Sequence, residues 1–203
     1  MKILGSAYSR ADPEQVASNV TQLNNEWRNQ LLSPLRYFEE FFDGTPGNWD
    51  TEPVFLELNP YYKIFHSRYS TVPIINKELF RKELKCLVKT ELLTPVQKSQ
   101  YGTPIFIIPN KKGTVRFITD YQRLNQKLVR NTYTLPIIGE TMYQMKLFHY
   151  ATALDINMGY NYIRLLTAIQ DITTIVNEFS QFKSNCLPIG MCSLVDIFQA
   201  KLD

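Results

Sequence analysis

The chain has 203 residues, a net charge of +3 and 44% apolar residues, enough for one good core or two modest ones. It contains no run of eighteen apolar residues, which excludes an obvious transmembrane helix, and Met1 to Arg10 lack a signal-peptide core, so a cytoplasmic or nuclear protein is expected. Its three cysteines, Cys86, Cys186 and Cys192, are scattered without histidines at ligand spacing, which argues for buried thiols over a disulfide framework or a zinc site.

The charge is unevenly spread. Residues 1–75 sum to −3, residues 76–130 to +8 and residues 131–203 to −2. A basic block of this kind suits a phosphate-binding surface. It equally suits a solvated helix face, because Lys77, Lys82, Lys85 and Lys89 lie along one expected helix.

Asp12-Pro13 is a helix start, an N-cap followed by Pro at the first helical position. A helix to about residue 30 is expected, with Val16, Val20, Leu23 and Trp27 on one face. Ser33-Pro34 reads as the opening of a second helix that carries Leu35, Phe38, Phe41 and Phe42. The alternation in residues 51–58 suggests an edge strand, and nothing in this first third carries evident chemistry.

Asn76 would cap a helix running to about residue 91, with Leu79, Phe80, Leu84, Leu87 and Val88 as its apolar stripe. Strands are expected at 104–109 and 114–120, joined by the turn Asn110-Lys111-Lys112-Gly113. That hairpin would hold Lys111 and Lys112 at its tip and Arg116 on its returning strand, a trio able to grip a polyphosphate. Further strands are expected at 150–156, 173–179 and 182–187, with helices at 138–147 and 194–202. Residues 150–156 would deliver one carboxylate, Asp155, to a strand end. There it could serve as a hard oxygen ligand for Mg²⁺ or simply cap the turn.

Four segments, in this order, resemble the reverse transcriptases of gypsy-like long-terminal-repeat retrotransposons. Gly102-Thr103-Pro104 with residues 107–121 and Leu124-Asn125 is similar to that family's fingers, and residues 133–138 to the Pro-containing segment that follows. Ala153-Leu154-Asp155-Ile156-Asn157-Met158-Gly159-Tyr160 resembles the first catalytic motif. Residues 187–191 with 196–199 resemble the motif that closes on the nucleotide. Phe42-Asp43-Gly44-Thr45 and His66-Ser67-Arg68 resemble the junction between protease and polymerase.

The resemblance implies an α+β, right-hand polymerase architecture: a helical leader at 1–72, fingers at 73–150 and a partial palm at 151–203. It implies two-metal nucleotidyl transfer with Mg²⁺ or Mn²⁺, acting on an RNA or DNA template–primer and deoxynucleotide triphosphates. By the same match Asp155 would be catalytic and bind metal, with the backbone carbonyl of Ile156 as a further ligand. Lys111, Lys112, Arg116, Tyr160 and Gly190 would hold the nucleotide, Tyr160 excluding a 2′-hydroxyl. Ile118, Asp120 and Gln122 would touch the template.

Departures accompany the match. Gln122 stands where the family has a basic residue, Ser193-Leu194-Val195 lacks the usual Pro, and Ser180 to Ser184 lacks a turn glycine. No Asp-Asp dipeptide occurs, although the family's metal site needs a consecutive aspartate pair beside the first aspartate. The expectation is a truncated fragment without the second half of the palm, thumb or ribonuclease H, part of a longer polyprotein and not competent to polymerise alone. A non-catalytic nucleic-acid-binding remnant and a non-functional relic are the alternatives.

Overall fold

The computed structural model describes residues 10–43, 49–109, 115–145, 147, 149–154, 156 and 159–203, without the side chains of Pro109 and Phe117. The chain begins with two short helices, α1 (Pro13–Asn19) and α2 (Asn25–Tyr37). The expected single helix to residue 30 is therefore broken. Asn24 supplies the second N-cap, its side chain accepting from the N–H of Trp27 at 2.8 Å. Pro34 does not open a helix but lies in the last turn of α2, where the N–H it lacks costs a single ladder bond. Arg36 pairs with Glu14 and Arg10 with Glu39, tying the two helices and the following turn together.

Residues 54–67 run as an extended strap. Isolated bridges join Val54 to Leu165, Leu58 to Leu128 and His66 to Gly102, so the expected edge strand at 51–58 is reduced to single contacts. Helix α3 (Lys77–Lys89) buries Phe80, Leu84 and Leu87, as its apolar spacing predicts. It also buries Glu83, which the pattern does not single out.

The sheet has five strands: β1 (Leu93–Val96), β2 (Thr103–Pro109), β3 (Val115–Thr119), β4 (Ile175–Val176) and β5 (Gln181–Ser184). Their order is β1-β5-β4-β2-β3. β2 and β3 form the expected antiparallel hairpin, with Ile105 opposite Thr119 and Ile108 opposite Arg116. A single helical turn, α4 (Gln122–Asn125), follows β3. β4 joins β2 in parallel, a two-residue strand in place of the longer one expected over 173–179. Residues Thr167–Thr173 form 3₁₀ turns immediately before it. β1 carries Pro95 and is tolerated because it is an edge strand, paired only with β5.

Residues 150–154 are not a strand. A strand forms by pairing, and the sheet holds no partner for this segment. Ala151, Ala153 and Leu154 are exposed, whereas a palm strand ending at Asp155 would be expected to bury Ala151 and Ala153 or Leu154 against the helices expected at 138–147 and 194–202. Helix α5 (Ile138–Gln144), shorter than expected, has no buried residue. The core lies instead around Phe80, Ile105, Leu124, Ile163, Ile175 and Leu187, between α3, one face of the sheet and the start of α6 (Leu194–Leu202). None of the three cysteines forms a disulfide with another; Cys186 is buried as expected, whereas Cys86 and Cys192 are half-buried.

Candidate nucleic-acid and nucleotide site

On the β2–β3 hairpin the side chains alternate between the core and solvent. Ile105 and Val115 are buried, whereas Phe106, Ile108, Arg116 and Ile118 are exposed. The register places Phe106 opposite Ile118 and Ile108 opposite Arg116, so these four share one open face. Arg116 and Ile118 thus sit together, with two apolar neighbours that the family resemblance does not select although strand alternation marks them. Lys111 and Lys112, expected at the hairpin tip, lie outside the described residues, as does Asp155.

β3 leads through Asp120 and Tyr121 into α4. Asp120 accepts the N–H of Gln122 at 3.1 Å, closing a tight turn that leaves Gln122 exposed. Tyr121 is buried, its hydroxyl donating to the carbonyl of Thr173 at 3.2 Å, and burial pushes its ionisation well above the ordinary range. Leu124 is buried beside it.

Asn125 is the residue that sequence reasoning misses as a site element. Its Nδ2 donates to the carbonyl of Gly190 at 2.9 Å, and its Oδ1 accepts from the N–H of Cys192 at 2.9 Å. An amide side chain has the donor and acceptor needed to hold a backbone loop at two points. Gly190 has φ +103°, a conformation that disfavours a side chain, and a Cβ there would lie 3.4 Å from the carbonyl oxygen of Thr119. The clamp therefore holds Gly190 against the end of β3, beside Thr119 and Tyr121.

The Gly190 loop runs directly into α6. Phe198 on α6 meets Tyr160 edge-to-face at 4.9 Å and Trp49 edge-to-face at 5.8 Å. Gly159 lets this happen, because a Cβ there would come within 2.8 Å of the Phe198 ring. Tyr160 is half-buried in the turn Gly159–Tyr162. Ile156 is exposed, and its carbonyl accepts the N–H of Gly159 at 3.4 Å.

α6 is anchored by Asp196. This buried carboxylate accepts from Arg130 Nε at 2.9 Å and from the N–H of Tyr133 at 3.0 Å. The Tyr133 bond and the Arg130 guanidinium hold its ionisation below the usual carboxylate range. Tyr133 reaches further along the helix to the carboxylate of Asp203. Among the described residues no three His, Cys, Asp or Glu side chains converge on a metal-sized site.

This sheet-and-helix arrangement has the fold of solved reverse transcriptases. The foamy viral protease–reverse transcriptase in complex with an RNA/DNA hybrid superposes with a TM-score of 0.80 at 20% identity, covering 94% of this chain and 26% of that one. A second structure of the foamy viral enzyme, in complex with double-stranded DNA, superposes at 0.76 and 19% identity, covering all of this chain and 36% of that one.

In sequence, the chain is homologous to retrotransposon Pol polyproteins. It is 27% identical over 209 residues to the retrovirus-related Pol polyprotein from transposon 412 of Drosophila melanogaster, covering 89% of this chain. It is 26% identical over 147 residues to that of transposon gypsy from the same organism, covering 69% of this chain. The chain spans 17% and 14% of those two polyproteins, respectively. No protein-family model matches it.

Proposed function

We propose that the chain is the fingers and first part of the palm of a retrotransposon reverse transcriptase, that it holds an RNA or DNA template–primer, and that it does not polymerise by itself. The observation that supports this reading is the Asn125 clamp, which holds the Gly190 loop against the end of β3, the strand that carries Arg116 and Ile118 and leads into Asp120 and Gln122. Arg116 on the same hairpin and Tyr160, packed on α6, would face the nucleotide. Homology to Pol polyproteins and the foamy viral fold support the assignment of residues 73–150 to fingers and 151–203 to palm, with residues 1–72 leading in from the protease side.

Reverse transcriptases use divalent metal, with Asp155 as the counterpart of the first ligand here. The described residues do not complete such a site. The chain contains no paired aspartates. What its own residues do is bind and orient. The exposed Phe106–Ile118 face offers apolar contact to bases or sugars, Arg116 offers a fork for phosphate, and Gly190 admits a strand close to the backbone.

The test is binding of a labelled RNA/DNA hybrid across a salt series, alongside primer extension with Mg²⁺ and Mn²⁺. Binding that weakens steeply with salt and no extension is the expected result. Extension that disappears in Asp155→Asn would overturn the claim of inactivity, and salt-insensitive or absent binding would remove the template role.

A further inference from the structure

A second surface adjoins the template candidates on the side of the strap. A cleft of about 770 Å³ opens between residues 66–69 and residues 176–181 of the β4–β5 turn. One wall is set by the strap: Gly102 donates to the carbonyl of Phe65 at 3.2 Å, and Ser67 donates to that of Gly102 at 2.8 Å. The His66 ring lies over Gly102, where a Cβ would come within 2.7 Å of it, so only glycine admits this approach. The other wall is a rigid turn, because Asn177 Oδ1 accepts the N–H groups of Phe179 and Ser180 at 2.9 and 3.2 Å. Gln181 Nε2 lies 3.4 Å from His66 Nε2 and ties the walls together.

The chemistry of the cleft is cationic and aromatic. Arg68 is exposed and pairs with no carboxylate among the described residues. Tyr69 beside it is 54% exposed. The cleft's carboxylate, Glu178, is matched by Lys77 at 2.7 Å, and Arg81 sits 4.3 Å over the Phe179 ring. The balance around the cleft is therefore positive, with an open ring at its mouth. Unpaired nucleic acid is bound by this combination of cations that follow phosphates and aromatic side chains on which bases stack. A cleft of this volume falls within the range of small-ligand sites, roughly 300–1,000 Å³, which accommodates part of a single strand but not a duplex.

The cleft is continuous with the template surface. Gly190 is clamped to Asn125 at the end of α4, Gln122 begins that helix, and Arg123 next to it lies 3.5 Å from Ser67 Oγ on the cleft wall. We propose that the unpaired template strand leaving the Gly190–Gln122 surface crosses Arg123 and enters this cleft, with phosphate against Arg68 and a base stacked on Tyr69. The proposal rests on the template reading above and extends it to residues of the strap.

The experiment compares a blunt RNA/DNA hybrid with the same hybrid carrying a short single-stranded template tail, by fluorescence anisotropy at fixed low salt. The proteins are the wild type, Arg68→Lys and the double variant Arg68→Ala/Tyr69→Ala, each checked for folding by circular dichroism. The expected result is a tail advantage of about tenfold in wild type, the size of one stacking contact. The double variant should lose that advantage with blunt binding unchanged, and Arg68→Lys should keep most of it. A tail advantage that is absent in wild type, or that survives in the double variant, overturns the cleft proposal and leaves hybrid binding standing. If wild type binds neither hybrid, the template reading fails. A single-stranded oligonucleotide with a photoreactive base then decides the cleft: crosslinking within residues 66–69 supports it, and crosslinking elsewhere or nowhere overturns it.

Discussion

Asn125 and Glu83 show at the level of single residues how this chain divides its polar groups between assembly and strain. Asn125 spends both ends of its amide on backbone groups of the 190–192 loop, and no other side-chain hydrogen bond is seen holding that loop to α4 among the described residues. Two hydrogen bonds of ordinary strength contribute about 2 kcal/mol together. Asn125→Ala should lower stability in urea by about that amount. It should also weaken hybrid binding more than a surface control such as Lys98→Ala, because the Gly190 loop would no longer be held against Thr119.

Glu83 is the opposite case. It is 5% exposed on the core side of α3, and its Oε2 has no hydrogen-bond partner among the described residues. Burial pushes its ionisation up to about 7 from an ordinary value of 4.5. A carboxyl whose folded value is raised takes up a proton on folding, so the folded state is favoured below the unfolded value and loses that advantage as pH rises through the folded one. Urea midpoints should therefore fall as pH is raised from about 4.5 to about 7, from this group alone. Glu83→Gln should flatten that slope, and an unchanged slope in the variant would place the pH dependence elsewhere.

At the scale of elements, the end of α3 combines a standard stop with an unusual residue. Leu92 N–H bonds to the Leu87 carbonyl at 3.0 Å and Glu91 N–H to that of Val88 at 3.1 Å, the paired bonds of a Schellman motif. The position that this motif twists left-handed, usually glycine, is Glu91, with φ 57°. Relief of that conformation in Glu91→Gly should stabilise the chain by about 1 kcal/mol, read as a higher urea midpoint at constant slope. The Glu91 carbonyl still receives Asn185 and Arg164 in that variant, so the turn keeps its tertiary bonds.

The same elements explain which parts of the fold are legible in the sequence. The β2–β3 hairpin is legible because its alternation is local and both strands are contiguous in sequence. α3 is legible from its apolar spacing. β1 is not, because a four-residue segment with Pro95 becomes a strand only through β5, which arrives some ninety residues later. The Asn125 clamp is hidden for the same reason, its partners lying 65 and 67 residues away. Residues 150–156 mislead because an apolar run ending in Asp155 matches a strand pattern, while strand formation depends on a neighbour that the sheet does not supply. Of the expected site, Gly190 lies against the end of the strand that carries Arg116 and Ile118, whereas Lys111, Lys112 and Asp155 lie outside the described residues.

For the whole molecule, the distribution of apolar surface is the decisive feature. The half built on α3, the sheet and the 160–194 segments encloses a contiguous core. The other side, from Leu135 through α5 to Ile156, leaves Ile138, Met142, Tyr143, Leu147 and Leu154 open to solvent. Large exposed apolar patches mark surfaces made to be covered. The Pol polyproteins to which the chain is homologous are several times longer, so sequence outside the matched region is a candidate to cover this face and to pair residues 150–154 as a strand. The isolated chain should accordingly bind an apolar dye such as anilinonaphthalene sulfonate under native conditions, with hydrogen exchange fast across 135–156 and slow in α3, β2 and β5. A longer chain extended with the sequence that follows the matched region in a homologous polyprotein should suppress the dye signal and slow exchange at 150–154. If exchange at 150–154 stays fast in that longer chain, the segment is a loop in its own right, and the palm assignment of residues 151–203 falls with it.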